Sequence, residues 1–165
     1  MKYSARPGPV SPSPEGKSVM DWLYRRIVEG TPDAVVFADR EGVIRLWNAG
    51  AQATFGYSAE EAIGQTLDLI VPEKLRERHW KGYRHAMETG TSSLGGEMLK
   101  VPGVTKGGDR ISLEFTVALV RDPQDDLRGV AAVIRDVTER WQEEKALKER
   151  LAALEAELEA ARGSG

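Results

Sequence analysis

The order of the predicted secondary structure constrains this chain more than any other feature. Two strands at 34–39 and 43–48 are followed by helical segments, and three further strands occupy about 93–101, 110–121 and 128–136. Strands and helices therefore do not alternate along the chain, as they do when helices connect the parallel strands of a sheet. The order predicts an α+β fold, in which a five-stranded antiparallel sheet carries its helices on one face.

Capping residues support the helical segments between the strands. Asn48 is a plausible N-cap for a short helix, because its side chain is suited to accept a backbone hydrogen bond there. Ser58 with Glu61 three residues later forms the capping box of a second helix. A longer third helix is predicted over 73–88, directly after the Val-Pro pair at 71–72.

The 165 residues divide into three parts. Residues 1–16 are rich in Pro, Ser and Gly, which predicts a flexible N-terminal segment. Residues 17–136 carry the globular pattern, beginning with an amphipathic helix. Residues 137–165 are charged and rich in Ala, Leu and Glu, and they end in Gly-Ser-Gly. This ending suggests a linker or a truncation, so we expect a downstream output domain in a longer protein.

Apolar residues at the two ends predict a homodimer. In the C-terminal segment they repeat at intervals of 4, 3, 4 and 3, as in a coiled coil. These residues are Leu147, Leu151, Leu154, Leu158 and Ala161. The N-terminal helix adds a second apolar face, formed by Met20, Leu23 and Ile27. A solvated single helix is the alternative for the C-terminal segment.

Composition excludes several classes of chemistry. The chain has no cysteine, so it forms no disulfide, no thiolate zinc site and no cysteinyl flavin adduct. This fits a cytoplasmic location. The net charge of -3 indicates neither a nucleic-acid partner nor an anionic membrane partner. No run is long and apolar enough to predict a membrane-spanning helix or a signal peptide.

Motifs for catalysis are missing as well. The sequence lacks G-x-S-x-G, a phosphate-binding loop of the Walker type and H-E-x-x-H. Its carboxylate pairs, at 60–61 and 125–126, fall in predicted surface helices or turns, where solvation is their ordinary role. We therefore predict that the domain is not an enzyme.

Three stretches in the right order resemble the PAS family of sensor domains. They are P-D-A-V-V-F-A-D, W-N-A-G-A-Q-A-T-F-G-Y-S-A-E-E-A-I-G-Q and I-R-D-V-T-E-R. The resemblance covers about 20–140 and implies the PAS fold, whose helices enclose a small-ligand pocket against the sheet. It also implies that D-V-T-E-R, at 136–140, joins the sheet to an outgoing signalling helix.

One further stretch, R-E-R-H-W-K-G-Y-R-H-A-M-E-T-G at 76–90, resembles the haem-binding helix of the FixL-type PAS domains. The matching residues are Arg76, His79, Met87, Thr89 and Gly90. The resemblance implies that His79 ligates the iron of haem b and that the domain senses a diatomic gas (O2, CO or NO) or redox state. The Gly-Tyr pair at 82–83 departs from the pattern, since it lies one residue later than in FixL.

The spacing within this helix is compatible with that role. Leu75, His79, Tyr83 and Met87 follow one another at i+4 and share one helix face. The imidazole would thus project from a largely apolar stripe, with Tyr83 beside it at the cofactor. In the alternative interpretation His79 is a half-exposed helix residue. The domain is then a non-haem dimerisation or interaction module with an empty, flavin-filled or metabolite-filled pocket.

His85 is the second histidine of the stretch. It lies six residues after His79, about 240° around the helix, and so on another face. The resemblance implies that it meets a haem propionate, whereas a solvated surface histidine is the alternative.

The resemblance also implies roles for residues after the helix. Leu94, Phe115 and Val117 align with the apolar residues that cover the gas pocket in FixL, although any PAS core places apolar residues there. Leu99 takes the place of the arginine that hydrogen-bonds oxygen. Met98 would be a sixth iron ligand only if the glycines at 95–96 shifted the strand register by one residue, and ordinary packing is the alternative.

Overall fold

The structure, a computed structural model, describes residues 14–91 and 98–163. Its strands form an antiparallel sheet in the order β2-β1-β5-β4-β3. The strands are β1 (Ala34–Asp39), β2 (Ile44–Trp47), β3 (Leu99–Val104), β4 (Arg110–Arg121) and β5 (Leu127–Asp136). The predicted five-stranded antiparallel sheet and the α+β class are confirmed.

The helices flank and connect these strands. They are α1 (Pro14–Gly30), α2 (Ala49–Phe55), α3 (Ala59–Ala62), α4 (Glu73–Thr89) and α5 (Thr138–Gly163), with a 3-10 turn at Leu67–Leu69 between α3 and α4. α1 begins inside the segment 1–16 that was predicted to be flexible, and its proline start is compatible with a first helical turn. No helix within the described residues is both long and apolar enough to cross a membrane.

β3 differs most from its predicted bounds of 93–101. It begins at Leu99 and continues through Pro102 and Gly103, two residues that usually end a strand. Proline is tolerated here because β3 lies at the edge of the sheet and pairs only with β4, so one side of the strand makes no ladder bonds. Residues 92–97, including the predicted start of the strand, lie outside the described part.

The core consists of two clusters on the helix-covered face of the sheet. The main core lies between the sheet and α2 and α3, where Phe55 and Ile44 are fully buried. Burial of one such side chain stabilises the fold by about 1.5–3 kcal/mol. A smaller cluster lies under α4 and contains Ala38, Tyr83 and Met87.

Asn48 caps α2, as predicted, and also joins three elements. Its Oδ1 accepts hydrogen bonds from the backbone N–H of Ala51 and of Val35, each at 2.8 Å. Its Nδ2 donates to the carbonyl oxygens of Val28 in α1 and Asp33 before β1. The side chain is 1% exposed, so one buried amide fastens the end of α1 to the sheet.

The predicted capping box at the start of α3 is present. The Oγ of Ser58 accepts a hydrogen bond from the N–H of Glu61, and the Glu61 carboxylate accepts one from the N–H of Ser58. These two bonds satisfy donors that a helix start otherwise leaves free.

The junction between β5 and α5 is bonded to β4. The Oδ1 of Asp136 accepts hydrogen bonds from the backbone N–H and the hydroxyl of Thr138. The Thr138 hydroxyl oxygen in turn accepts one from the N–H of Ser112 at 2.8 Å. Within the first turn of α5, Arg140 forms an ion pair with the buried Glu114 of β4. The first turn of α5 is therefore fastened to β4.

Candidate functional site

The sheet-facing stripe of α4 is the one predicted from its i+4 spacing. Tyr83 and Met87 are 8% and 7% exposed and pack against Ala38 at the end of β1. Leu75 and His79, one and two turns earlier, are partly buried. The stripe therefore closes tightly on the sheet at its C-terminal half and less tightly around His79.

Tyr83 holds α4 to the sheet. Its hydroxyl donates to the carbonyl oxygen of Asp39 at 2.6 Å and lies 3.1 Å from that of Ala38. Burial raises the pKa of this hydroxyl, and the negative charge of Asp39 adds to the effect. Tyr83 therefore remains protonated and serves as a hydrogen-bond donor at neutral pH.

Two residues on either side of His79 bind the 3-10 turn. The indole N–H of Trp80 donates to Oδ1 of Asp68 at 2.7 Å, and Arg76 donates to the carbonyl oxygen of Asp68 at 3.0 Å. The indole also covers Gly42 in the β1–β2 turn, where a Cβ atom would lie 2.3 Å from the ring. Gly42 has a φ of +78°, so both the turn and the ring contact require glycine.

His79 lies among aromatic rings. Its ring centroid is 5.1 Å from that of Trp80 and 5.9 Å from that of Tyr83. Its Nδ1 is buried and has no hydrogen-bond partner within the described residues. Burial lowers the pKa of His79, while the charge of Asp68 acts in the opposite direction. The imidazole is thus neutral at pH 7 and has a lone pair with which it could bind a metal ion.

Part of β3 and β4 presents an apolar surface to the helix side. Leu99 is paired with Phe115, and residues paired across neighbouring strands point to the same face. Phe115 packs against the main core, so this is the helix-covered face. Val117, two residues on, shares it. All three side chains are only partly buried, and none carries a hydrogen-bond donor.

Met98 lies within the described residues, whereas Leu94 does not. Met98 lies directly before β3 and is 59% exposed, whereas its neighbour Leu99 is partly buried and paired with Phe115. Leu94 and the glycines at 95–96 lie outside the described residues. A role of Met98 as a sixth ligand stays a prediction.

His85 is exposed on α4, away from the stripe that carries His79. Its backbone carbonyl oxygen accepts a hydrogen bond from the hydroxyl of Thr89 at 2.8 Å. Contact of its exposed imidazole with a haem propionate stays a prediction.

The sequence did not predict that Asp68 accepts hydrogen bonds from two side chains of α4. Asp68 lies between two leucines in a short 3-10 turn, and this local pattern does not distinguish a bonded carboxylate from a solvated one. Only the fold places it against Arg76 and Trp80, on the flank of α4 beside His79. The contact of Gly42 with Trp80 likewise has no local sequence signal.

Comparison with known proteins gives consistent results at the level of family and fold. A family model described as the PAS fold matches residues 23–137. The PAS domain of a protein from Colwellia psychrerythraea superposes with a TM-score of 0.63 and 23% identity, covering 73% of this chain and 98% of that one. This structural likeness concerns the fold alone.

Two curated relatives are named as sensors. The sensor protein FixL of Bradyrhizobium diazoefficiens is 28% identical over 125 residues, which are 76% of this chain and 24% of FixL. The oxygen sensor protein DosP of Escherichia coli is 24% identical over 106 residues, which are 64% of this chain and 13% of DosP. The chain therefore spans less than a quarter of the length of either relative.

Proposed function

This chain belongs to the PAS family, and we propose that it is the sensory domain of a longer protein and binds b-type haem through His79. The sensed signal is then a diatomic gas or the redox state of the iron. The resemblance of 76–90 to the FixL-type helix and the relationship to two sensor proteins support this proposal.

The observation that carries it is the state of the His79 imidazole. Buried polar atoms in folded proteins nearly always have a hydrogen-bond partner, and each exception requires an explanation. The buried Nδ1 of His79 has none within the described residues. The imidazole is therefore not committed to a structural hydrogen bond, although it lies on the sheet-facing side of α4. A role as an iron ligand would explain both the missing hydrogen-bond partner of His79 and its position on the sheet-facing side of α4.

The neighbouring residues suit an apolar, planar cofactor. Trp80 and Tyr83 place aromatic rings beside His79, and Leu99, Phe115 and Val117 would form the apolar wall. His85 would meet a propionate, and Met98 is a possible sixth ligand. When bound, haem would supply an iron atom that takes a diatomic gas or changes its oxidation state.

We infer that β4 would carry a signal from the proposed haem to the output. Phe115 faces the helix-covered side of β4, and its neighbour Glu114 faces the opposite side, where it pairs with Arg140 of α5. A shift of β4 on ligand binding would therefore move the first turn of α5. A ligand shifts such an equilibrium only as far as it binds one arrangement better than the other.

A non-haem interaction module is the second candidate function. It is favoured by the direct packing of α4 on the sheet, where Tyr83 and Met87 are buried and the Tyr83 hydroxyl binds the end of β1. In this case α4 needs no cofactor to complete its contacts. The pocket would be empty or hold flavin or a metabolite.

Reconstitution with haemin separates the two functions. We expect a Soret band in the wild type and in His79→Ala no band above that of free haemin, because the iron ligand is removed. Glu77→Ala is the control, since it changes an exposed side chain on the same helix that has no proposed contact with haem, and it should keep the band. Equal binding by the wild type and His79→Ala, or no binding by either, would show that the assignment is wrong.

A further inference from the structure

We propose that the C-terminal half of α4, residues 82–89, is a gate that opens about Gly82 and controls access to His79 from the sheet side. The hydroxyl of Tyr83 holds this gate closed. The inference deepens the proposed function, on which it rests only where it names haem as the ligand that enters.

The N-terminal half of α4, residues 73–81, is bound to the chain segment that precedes it. Arg76 donates hydrogen bonds to the carbonyl oxygens of Asp68 at 3.0 Å and Val71 at 3.2 Å. The indole N–H of Trp80 donates to Oδ1 of Asp68 at 2.7 Å. These contacts fasten this half of the helix to the 3-10 turn and to the residues directly after it.

The C-terminal half is bound to the sheet instead. The hydroxyl of Tyr83 donates to the carbonyl oxygen of Asp39, at the end of β1, at 2.6 Å. Met87 is buried in the same cluster as Tyr83. At the end of the helix, Arg121 of β4 donates to the carbonyl oxygen of Gly90 at 3.3 Å. The two halves of α4 therefore have separate partners, and one can move while the other stays bound.

Gly82 lies where the two halves meet. It is exposed, and a Cβ atom there would have no atom of another element within 4 Å among the described residues. Unlike Gly42, which the Trp80 ring contacts, Gly82 is thus not required by packing. Glycine inside a helix has more backbone freedom to lose than alanine and weakens the helix. Its effect is to make α4 easiest to bend between the two sets of contacts.

The closed gate occupies the part of the sheet that a ligand would need. Tyr83 and Met87 are 8% and 7% exposed, and the cluster they belong to reaches Leu119 of β4. Val117, two residues before Leu119, shares its face of β4 and belongs to the proposed apolar wall. Protein interiors are close-packed and leave little empty space. A ligand that contacts both this wall and His79 therefore has to displace the C-terminal half of α4.

The gate couples ligand affinity to an opening equilibrium. A ligand that binds only the open form has an apparent affinity reduced by the fraction of molecules that are open. Tyr83→Phe keeps the aromatic ring but removes the hydroxyl. It should raise the open population about 2- to 10-fold, because the lost hydrogen bond stabilises only the closed form. Gly82→Ala strengthens the helix and should lower the open population about 2- to 5-fold.

Hydrogen exchange of the haem-free protein tests the gate without a ligand. In Tyr83→Phe the amides of residues 82–89 should exchange about 2- to 10-fold faster. Those of 77–81 should keep the wild-type rate, because the first half of the helix stays bound. Gly82→Ala should slow exchange in 82–89 about 2- to 5-fold. Equal acceleration of both ranges in Tyr83→Phe, or of neither, would contradict an opening about Gly82.

The control is Lys81→Gln, which changes an exposed side chain next to Gly82 and keeps nearly the same helix propensity. It should leave the exchange of 82–89 unchanged. If Tyr83→Phe does not fold, Gly82→Ala decides alone, and wild-type exchange rates in that variant would overturn the proposal.

Titration with haemin distinguishes a gate from a purely structural contact. Tyr83→Phe weakens the closed form, yet it should bind haemin about 2- to 10-fold more tightly, and Gly82→Ala should bind it about 2- to 5-fold more weakly. Weaker or unchanged binding by a folded Tyr83→Phe variant would overturn the proposal. If the wild type binds no haemin, the proposed function fails, while the exchange comparison still decides whether α4 opens about Gly82.

Discussion

At the scale of single residues, Leu99 would determine what a gas meets in the proposed haem pocket. Because Leu99 pairs with Phe115, its side chain faces the helix-covered side of the sheet. The FixL-type domains that the chain resembles carry an arginine at the matching position. Oxygen bound to ferrous iron carries partial negative charge and is stabilised by a hydrogen-bond donor in the distal pocket. Leucine offers no donor, whereas carbon monoxide needs little such help.

We therefore predict an oxygen complex that oxidises quickly, with carbon monoxide binding retained. Leu99→Arg should slow autoxidation of the haem-loaded protein, measured from the decay of its oxygenated absorption spectrum. Leu99→Met, which changes shape without adding a donor, should leave the rate close to that of the wild type. An unchanged rate in Leu99→Arg would mean that position 99 does not face the haem.

A second residue-scale prediction concerns Asn48. Its buried amide makes four hydrogen bonds to backbone groups of α1, β1, α2 and the segment between α1 and β1. Asn48→Ala should lower the free energy of unfolding by about 2–6 kcal/mol, because all four bonds are lost and each makes a net contribution of about 0.5–1.5 kcal/mol. Urea denaturation measures the change. Gln52→Ala, an exposed substitution in the same helix, should change stability by less than about 0.5 kcal/mol.

At the scale of secondary structure, α5 is fastened to the sheet by Glu114. This buried carboxylate lies 3.2 Å from Nζ of Lys100 and pairs with Arg140 of α5. The Arg140 hydrogen bond, helped by Lys100, lowers the pKa of Glu114 although burial raises it. The pair thus connects β4 to the helix that follows the sheet.

Glu114→Gln should loosen the first turn of α5. We expect weaker hydrogen-exchange protection of the Trp141 N–H, which bonds to the carbonyl oxygen of Val137 at 2.8 Å, because Arg140 loses its charged partner. Glu144→Gln, which changes an exposed carboxylate 3.8 Å from Arg140, is the control and should keep protection. Equal protection in both variants would mean that Glu114 does not hold α5.

The Glu114–Arg140 ion pair also predicts how the protection of the Trp141 N–H depends on pH. A carboxyl whose pKa is lowered by folding stabilises the folded state at pH values above its unfolded pKa of about 4.3, and this contribution is lost as the pH falls through the lower folded value. Protection of Trp141 in the wild type should therefore decrease only under acidic conditions. In Glu114→Gln this acid-dependent step should be missing.

At the scale of the whole molecule, large apolar side chains of both terminal helices are exposed in a single chain. On α5 the exposed fractions of Leu147, Leu151, Leu154 and Leu158 are 67%, 57%, 46% and 58%. On α1, Trp22 and Ile27 are 59% and 58% exposed. Burying one exposed leucine is worth about 1.5–3 kcal/mol, so a second copy would stabilise both helices.

We predict a parallel homodimer in which the two α5 helices lie side by side. Leu151→Asp with Leu154→Asp places four carboxylates in the shared seam and should weaken the dimer without unfolding the core, as light scattering would show. Ala152→Asp with Ala156→Asp adds the same charge outside the heptad seam and should leave the dimer intact. A monomeric wild type, or an unchanged mass of the leucine double variant, would contradict this assembly.

The sequence by itself determined the features that depend on local chemistry and periodicity. β4 occupies its predicted bounds of 110–121, and Asn48 and Ser58 cap the helices that follow them. The i+4 spacing of α4 placed His79 on the same stripe as the buried Tyr83 and Met87, and His79 itself is partly buried. Each of these rests on contacts within a few residues or on a repeat that matches the helix or the strand, so no distant partner has to be known.

Only the tertiary structure decided what depends on neighbours far apart in the chain. Pro102 continues an edge strand because the fold leaves that edge unpaired, and the register of β3 against β4 turns Leu99 toward the helices. Asp68 reaches the flank of α4 because the 3-10 turn folds back on Arg76 and Trp80. The local sequence around an exposed polar residue does not predict which distant residue it will contact. Strand register and chain reversal are set by the packing of the whole core.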